Sequence, residues 1–405
     1  MQKGEPVERI LTTHVGSLIR PDALTTALQA RERGAGYDPE ALERQLRSAV
    51  RDVVAEQAEI GLDVIDDGEM GKVSWITYIY GRVTGITPRT VEVSEPKLPA
   101  GLDAEAHGPS LGLYTDYLPV EADGEEHTEE ERRTGIMWIC DAPIRYIESG
   151  VEQDVAHLRA ALEGVDVVDA FIPAVAPASV YWIKNEHYAN DEEFVFALAD
   201  ALRVEYRKII DAGIMLHVDD AVLWHMYGTI RLFGGSPEDY RRWAQVRVDA
   251  LNHALEGIPA DRVRYHVCSG SDHAAHTQDP ALRDVIDFVL QVNARYLLIE
   301  QGNARHEHEW KIWEDVVLPD DKVIVPGVVT HQTQMVEHPE LVAQRLTRLA
   351  KLVGRERVMA GTDCGFAQTA STRRVPLWTQ WAKLRSLVDG AKLASMELWG
   401  SKVEA

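Results

Sequence analysis

A (β/α)8 barrel carrying one long irregular insertion is what this sequence predicts, on three observations. Short apolar runs rich in β-branched residues alternate with amphipathic helical stretches over most of the 405 residues. Those runs end repeatedly in polar side chains able to hold a metal or a substrate, where a barrel collects its active site. No GxGxxG follows an early strand, so the fingerprint of the competing doubly wound sheet is absent.

The strand candidates, in order, are ILTTH (10–14), LDVIDD (62–67), IMWIC (136–140), VDVVDAF near 166–171, IMLHVDD (214–220), VRYHVC (263–268), YLLIE (296–300), VIVPG (323–327) and VMAGTDC (358–364). That is one more than a barrel needs, and the run near 166–171 is the one set aside. Between them, PEALERQLRSAVRDVVAEQAEIG and EEFVFALADALRVEYRKIIDAG carry apolar residues at helical spacing, the second closed by Gly213. Residues 83–135 are rich in Gly, Pro, Asp and Glu and include EADGEEHTEEERR. They read as an irregular acidic insertion in a single barrel spanning 1–405.

Composition narrows the function. The 42 Lys and Arg against 65 Asp and Glu give a net charge of −23, which argues against nucleic acid or an anionic membrane as the main partner. No run of 18 apolar residues exists, and the first residues lack an apolar signal core, so a cytoplasmic location is expected. Three cysteines, Cys140, Cys268 and Cys364, do not make a disulfide framework.

His266 and Cys268 are two apart on a predicted strand, which puts both on one face. Cys364 ends another strand and Glu300 a third. Taken alone, Cys268 reads as packing and His266 as a hydrogen-bonded core histidine. Together the four offer two thiolates, an imidazole and a carboxylate, a tetrahedral set suited to Zn2+. The acidic group Asp66, Asp67 and Glu69 reads either as a site for a cation or as a turn leading into a helix N-terminus. His306 and His308, two apart on a predicted helix, point to different faces; His273 and His276 lie in a polar loop. HEHEW is not HExxH, and neither GxSxG nor a P-loop occurs, which removes the common metalloprotease, serine-hydrolase and nucleotide-hydrolase readings.

At these residues the sequence resembles the cobalamin-independent methionine synthase family, in its zinc-bearing C-terminal barrel. It is similar also to the single-barrel relatives that include epoxyalkane:coenzyme M transferase-like proteins. The resemblance runs from Thr12 to about Leu398. TTHVGSLIRP resembles the strand-one motif whose backbone contacts the thiol substrate, implying Val15, Gly16 and Ser17. DDGEMGK and LHVDD resemble the segments that bind the substrate amine, implying Glu69 and Asp219, with Asp220 beside it. HVC, IEQGNARH and GTDCG resemble the zinc motifs and carry the ligand roles onto His266, Cys268, Glu300 and Cys364. PGVVTH resembles the segment of the proton donor, implying His331. Two features depart from the full-length synthases. There is no room for their second, N-terminal barrel, and WICDAPIRY stands where the folate-facing tryptophan motif belongs.

The resulting expectation is a zinc-dependent thiol alkyltransferase whose partners are a small-molecule thiol and an alkyl donor, with a homo-oligomer left open. A zinc-bound thiolate is expected to attack the donor carbon, with Glu300 yielding its place or shifting as the sulfur arrives, and His331 acting as general acid. Epoxide opening by coenzyme M is the first alternative; its sulfonate would want a cation, and Arg20, Arg145 and Arg305 are the candidates. A metal-free lyase resembling uroporphyrinogen decarboxylase and a non-catalytic binding barrel are the others.

Overall fold

A computed structural model of the chain describes residues 8–92, 134–147, 150–180, 182–271 and 279–400. The elements run α1 (Asp22–Glu32), α2 (Pro39–Glu59), β1 (Val64–Asp66), β2 (Val83–Glu92), β3 (Thr134–Tyr146), α3 (Gly150–Ala161), β4 (Asp169–Val175), β5 (Lys184–Asn185), α4 (Asp191–Asp211), β6 (Met215–Asp220), α5 (His225–Leu232), α6 (Pro237–Ala254), β7 (Val263–Val267), α7 (Ile286–Val289), β8 (Tyr296–Ile299), β9 (Val323–Val329), α8 (Pro339–Val353), β10 (Gly361–Thr362) and α9 (Leu377–Trp399). Seven strands form one parallel sheet in the order β1-β4-β6-β7-β8-β9-β10. The eighth position is the short segment at Thr12 and Thr13, which bridges Ala360 on one side and Val64 on the other, both in parallel. The sheet therefore closes on itself, and the barrel expected from the sequence is the fold.

Period-two alternation sorts every barrel strand into an inner and an outer face. On β6, Met215, His217 and Asp219 share one parity, while Leu216 and Val218 pack outward against the helices. On β7, Arg264, His266 and Cys268 share the inner parity, while Val263, Tyr265 and Val267 join the outer core. The interior is layered. Leu11, Val64, Phe171, Met215, Tyr296, Leu298, Val323, Val325 and Met359 form its apolar floor, and polar side chains crowd toward the C-terminal ends of the strands. Helix starts follow ordinary capping chemistry: Asp38 accepts from the amides of Glu40 and Ala41 ahead of α2, and Ser236 with Asp239 makes a capping box on α6.

Two expectations need correction. The strand near 166–171, set aside above, is barrel strand β4, and the run 136–140 is not in the barrel. It belongs to β3, which pairs antiparallel with β2 and parallel with β5 in a separate three-stranded sheet. The physical difference is burial. From Ala170 onward β4 is buried on both faces, as a parallel barrel strand must be. In contrast β3 is covered only in part, with Ile136 64% exposed and Ile139 buried. The same hairpin shows that 83–135 is not irregular throughout, because its first ten residues are strand β2. Residues 93–133, including the acidic run, lie outside the described residues.

Candidate active site

The thiols of Cys268 and Cys364, from the ends of β7 and β10, converge on the hydroxyl of Ser271, 3.5 Å from each. Glu300, one residue past β8, places Oε2 3.9 Å from the Cys268 sulfur. All three are buried. The hydrogen bond of the Cys268 thiol to Cys364, burial, and then the charges of Cys364 and Glu300 push the Cys268 thiol well up from its ordinary value. Two thiols and a carboxylate gathered at one point are donor chemistry suited to a zinc ion. Glu300 is tightly held: Oε2 accepts from the Ser269 amide (3.2 Å) and hydroxyl (2.7 Å), and Oε1 accepts from Asn303 (2.7 Å) and Arg305 (3.0 Å).

His266 is fully buried beside this cluster. Its Nδ1 is 2.7 Å from Asp219 Oδ1, and its Nε2 is 3.1 Å from the carbonyl of Asp363, the residue before Cys364. Burial alone would lower its pKa, but the Asp219 carboxylate outweighs burial and raises it to about 9. Asp219 thus orients the imidazole, as carboxylates commonly orient metal-binding histidines. His217, two residues before Asp219 and on the same face, lies 6.0 Å from His266 between ring centroids, near parallel. Both its nitrogens are buried without a hydrogen-bond partner, and burial pushes it well below the usual histidine range. His217, Asp219 and His266 each offer a donor atom within 4.8 Å of the others, the one such triad among the described residues. Asp363 is pushed up to about 6 by burial and by Glu300, and it accepts from the amides of Gln301 (2.9 Å) and Gly302 (2.6 Å).

The opposite rim is acidic. After β1 the chain turns through Gly68 (φ 66°) and Glu69 (φ 55°), the one non-glycine residue with positive φ among those described. The turn is fastened by Asp66 accepting from the Gly68 amide (2.8 Å) and Asp67 from the Glu69 amide (2.9 Å). Asp66 Oδ2 and Glu69 Oε2 are buried with no hydrogen-bond partner. Lys72 Nζ stands 3.5 Å from Glu69 Oε2 but donates to the Pro173 carbonyl at 2.6 Å. Burial, then Asp67 and Glu69, hold the Asp66 carboxyl well above the ordinary carboxylate range. Gly16 faces this turn: a Cβ there would stand 3.0 Å from Glu69 Oε1 and 3.7 Å from Asp66 Oδ2.

The remaining predicted residues fall as follows. Val15 donates its amide to Thr362 Oγ1 at 3.2 Å. Ser17 is buried, and its carbonyl accepts from Phe366. Asp220 has the opposite parity to Asp219 and faces outward, accepting from Ser179 (3.2 Å), Val222 (3.2 Å), Leu223 (3.1 Å) and Tyr265 (2.9 Å). Its carboxylate is spent on the fold. His331 is buried just past β9, and its neighbour Gln332 reaches the carbonyl of Gly270, two residues past Cys268, at 3.4 Å. Arg20 is buried with its guanidinium on the carbonyls of Glu69 and Ala367. Arg305 bonds Glu300 and Asp279, and Arg145 is exposed on β3. His306 is buried and His308 exposed, on the two faces of a 3-10 turn. His273 and His276 lie outside the described residues. Sequence reasoning gave no role to Ser269, Ser271, Asn303 and His217. Of these only His217 carried a signal, its inner parity with Asp219.

The model of the family described as cobalamin-independent synthase, catalytic domain, matches residues 10–94 and 177–392. A methionine synthase of Sulfurisphaera tokodaii is 23% identical over 96% of this chain and 93% of its own length. A 2-hydroxypropyl-CoM lyase of Xanthobacter autotrophicus is 22% identical over 100% of this chain and 99% of its own. A B12-independent methionine synthase from Shewanella sp. W3-18-1, solved in complex with selenomethionine, superposes with a TM-score of 0.70 at 18% identity, covering 97% of this chain and 100% of that one.

Proposed function

This chain belongs to the cobalamin-independent synthase catalytic-domain family, and on that premise we propose that it is a zinc-dependent thiol alkyltransferase. Its named relatives are enzymes, and they act on small molecules. The observation that carries the finer reading is the meeting of Cys268 and Cys364 at Ser271 with Glu300 3.9 Å away. Three separate strand ends supply those groups, and packing alone has no need of them. His266, Cys268, Glu300 and Cys364 are the residues that would hold the metal. Zinc bound there would deprotonate a substrate thiol, whose ordinary pKa is about 8.5.

The chain's own groups do the rest. Glu69 receives the substrate ammonium, with Asp219 behind His266 as the second carboxylate, and the turn at Val15, Gly16 and Ser17 lines the approach. His331 holds the proton that the leaving atom of the alkyl donor needs. This favours an amino-acid thiol such as homocysteine over coenzyme M. The acidic rim has buried oxygens that accept no hydrogen bond, with Lys72 standing 3.5 Å from one of them, whereas the guanidinium groups of Arg20 and Arg305 are already engaged. Epoxide opening by a sulfonate thiol stays as the second reading because the Xanthobacter relative is named for a coenzyme M adduct.

Elemental analysis of the purified protein tests the reading. About one zinc per chain is expected, falling together with activity in Cys268→Ser and Cys364→Ser. Stoichiometric zinc retained by both variants would overturn the thiolate ligands and point to the His217, Asp219 and His266 triad. A panel of homocysteine, coenzyme M and simple thiols against methyl donors and epoxides separates the two chemistries.

A further inference from the structure

The Glu300 carboxylate does not choose its own position. Its Oε2, the oxygen facing the Cys268 thiol at 3.9 Å, is the oxygen that Ser269 grips twice, by amide and hydroxyl. Ser269 is 1% exposed, and no solvent competes for that grip. The Ser269 hydroxyl has a second partner, His306 Nε2 at 2.7 Å. His306 is itself buried, with Asp279 Oδ2 3.4 Å from Nε2 and Glu309 Oε2 3.4 Å from Nδ1. Burial would lower the His306 pKa, but Asp279 and Glu309 overcome it and raise it to about 9. An imidazolium donates from both nitrogens. The serine hydroxyl then accepts from His306, and its single proton has one remaining destination, Glu300.

Resting on the zinc reading above, we propose that Ser269, backed by His306, is a positioning residue that keeps Glu300 a weak, displaceable ligand at the thiol cluster. A hydrogen bond donated to a carboxylate oxygen draws charge from it, and what that oxygen offers a metal falls accordingly. With zinc held by these residues, an incoming substrate thiol would compete with a loosened Glu300 carboxylate rather than a strongly bound one. Asn303 and Arg305 hold the other oxygen, so Glu300 has somewhere to rest when it yields.

The experiment uses the full chain loaded with zinc or cobalt(II), with homocysteine as the probe. Wild type is expected to bind one metal and to change its cobalt absorption on thiol addition. Ser269→Ala should keep the metal, release it to a chelator more slowly than wild type without thiol, and bind homocysteine about tenfold more weakly. Ser269→Thr, which keeps the hydroxyl, should restore both. A merely structural role would make Ser269→Ala release its metal faster, and that result overturns the proposal. So does a Ser269→Ala protein whose thiol affinity and cobalt spectrum match wild type. Wild type without metal would overturn the zinc reading and this inference with it, whereas metal-loaded wild type with an indifferent Ser269→Ala overturns the inference alone.

Discussion

The two rims of the barrel mouth are built on opposite plans. On the side of β7, β8 and β10, the carboxylates of Glu300 and Asp363 are saturated, although the buried Gln301 side chain beside them has no hydrogen-bond partner. Glu300 accepts four hydrogen bonds, and Asp363 accepts from two amides and the Asn303 side chain. On the side of β1, Asp66 and Glu69 keep buried oxygens that accept no hydrogen bond, on a turn with left-handed backbone at a non-glycine residue. Unsatisfied buried carboxylates and positive φ each cost free energy, of order 1–3 kcal/mol. A fold tolerates such costs where a ligand later supplies what is missing. On the proposed function, the difference separates a half pre-organised for a metal from one that awaits a cationic substrate.

The largest effect should break the saturated rim. Cys268→Ser or Cys364→Ser is expected to lower activity by about a thousandfold or more, in step with zinc loss. Turnover that survives zinc loss would place the chemistry elsewhere. The next sharpens the acidic rim. Glu69→Gln should raise KM for amino-acid thiols by about 10- to 100-fold, the worth of one charge-assisted hydrogen bond, and should leave thiols without an amine nearly unchanged. Equal losses on both kinds of thiol would show that the turn binds no ammonium.

A third prediction concerns stability. Burial, then Asp154, raise the Asp67 carboxyl from 3.8 to about 6 despite Lys72. A carboxyl raised on folding contributes stability below its unfolded pKa, and the contribution is lost as pH rises from about 4 through 6. Asp67→Asn keeps the oxygen that fastens the Glu69 amide and removes the charge. It should therefore stabilise the protein at pH 8, by at most about 3 kcal/mol, and the gain should vanish near pH 4. Thermal unfolding at the two pH values measures it; a gain independent of pH would assign the effect to packing instead.

Much of this contrast was legible in the residues. Apolar strands ending in ligand-type side chains pointed to a barrel mouth, and two-residue spacing put His266 and Cys268 on one inner face. The same rule, carried to Asp219 and Asp220, would have separated them, because neighbours on a strand cannot both face inward. The strand count failed at 136–140 because an apolar run does not say how many of its faces will be covered. Hydrophobicity sees Ile136, Trp138 and Ile139 alike, whereas the fold leaves Ile136 in solvent and buries Ile139. The grip of Ser269 on Glu300 had no sequence signal, since it depends on bringing residues 31 positions apart within 2.7 Å.

The smallest expected effect probes how closely the two halves of the acidic rim are fitted. Gly16 has φ 154°, and a methyl group there would stand 3.0 Å from both Glu69 Oε1 and Pro173 Cγ. Pro173 belongs to β4 and is held by the sheet, so the flexible Glu69 side chain must give way. Gly16→Ala is therefore expected to raise KM for an amino-acid thiol about three- to fivefold and to cost about 1 kcal/mol of stability. The KM change should disappear when the substitution is made in Glu69→Gln with a thiol lacking an amine, because the displaced carboxylate would then have no role. Neighbouring residues that act through one contact are non-additive in this way. Independent, multiplying losses in the double variant would mean that Gly16 shapes the thiol's path directly rather than through Glu69.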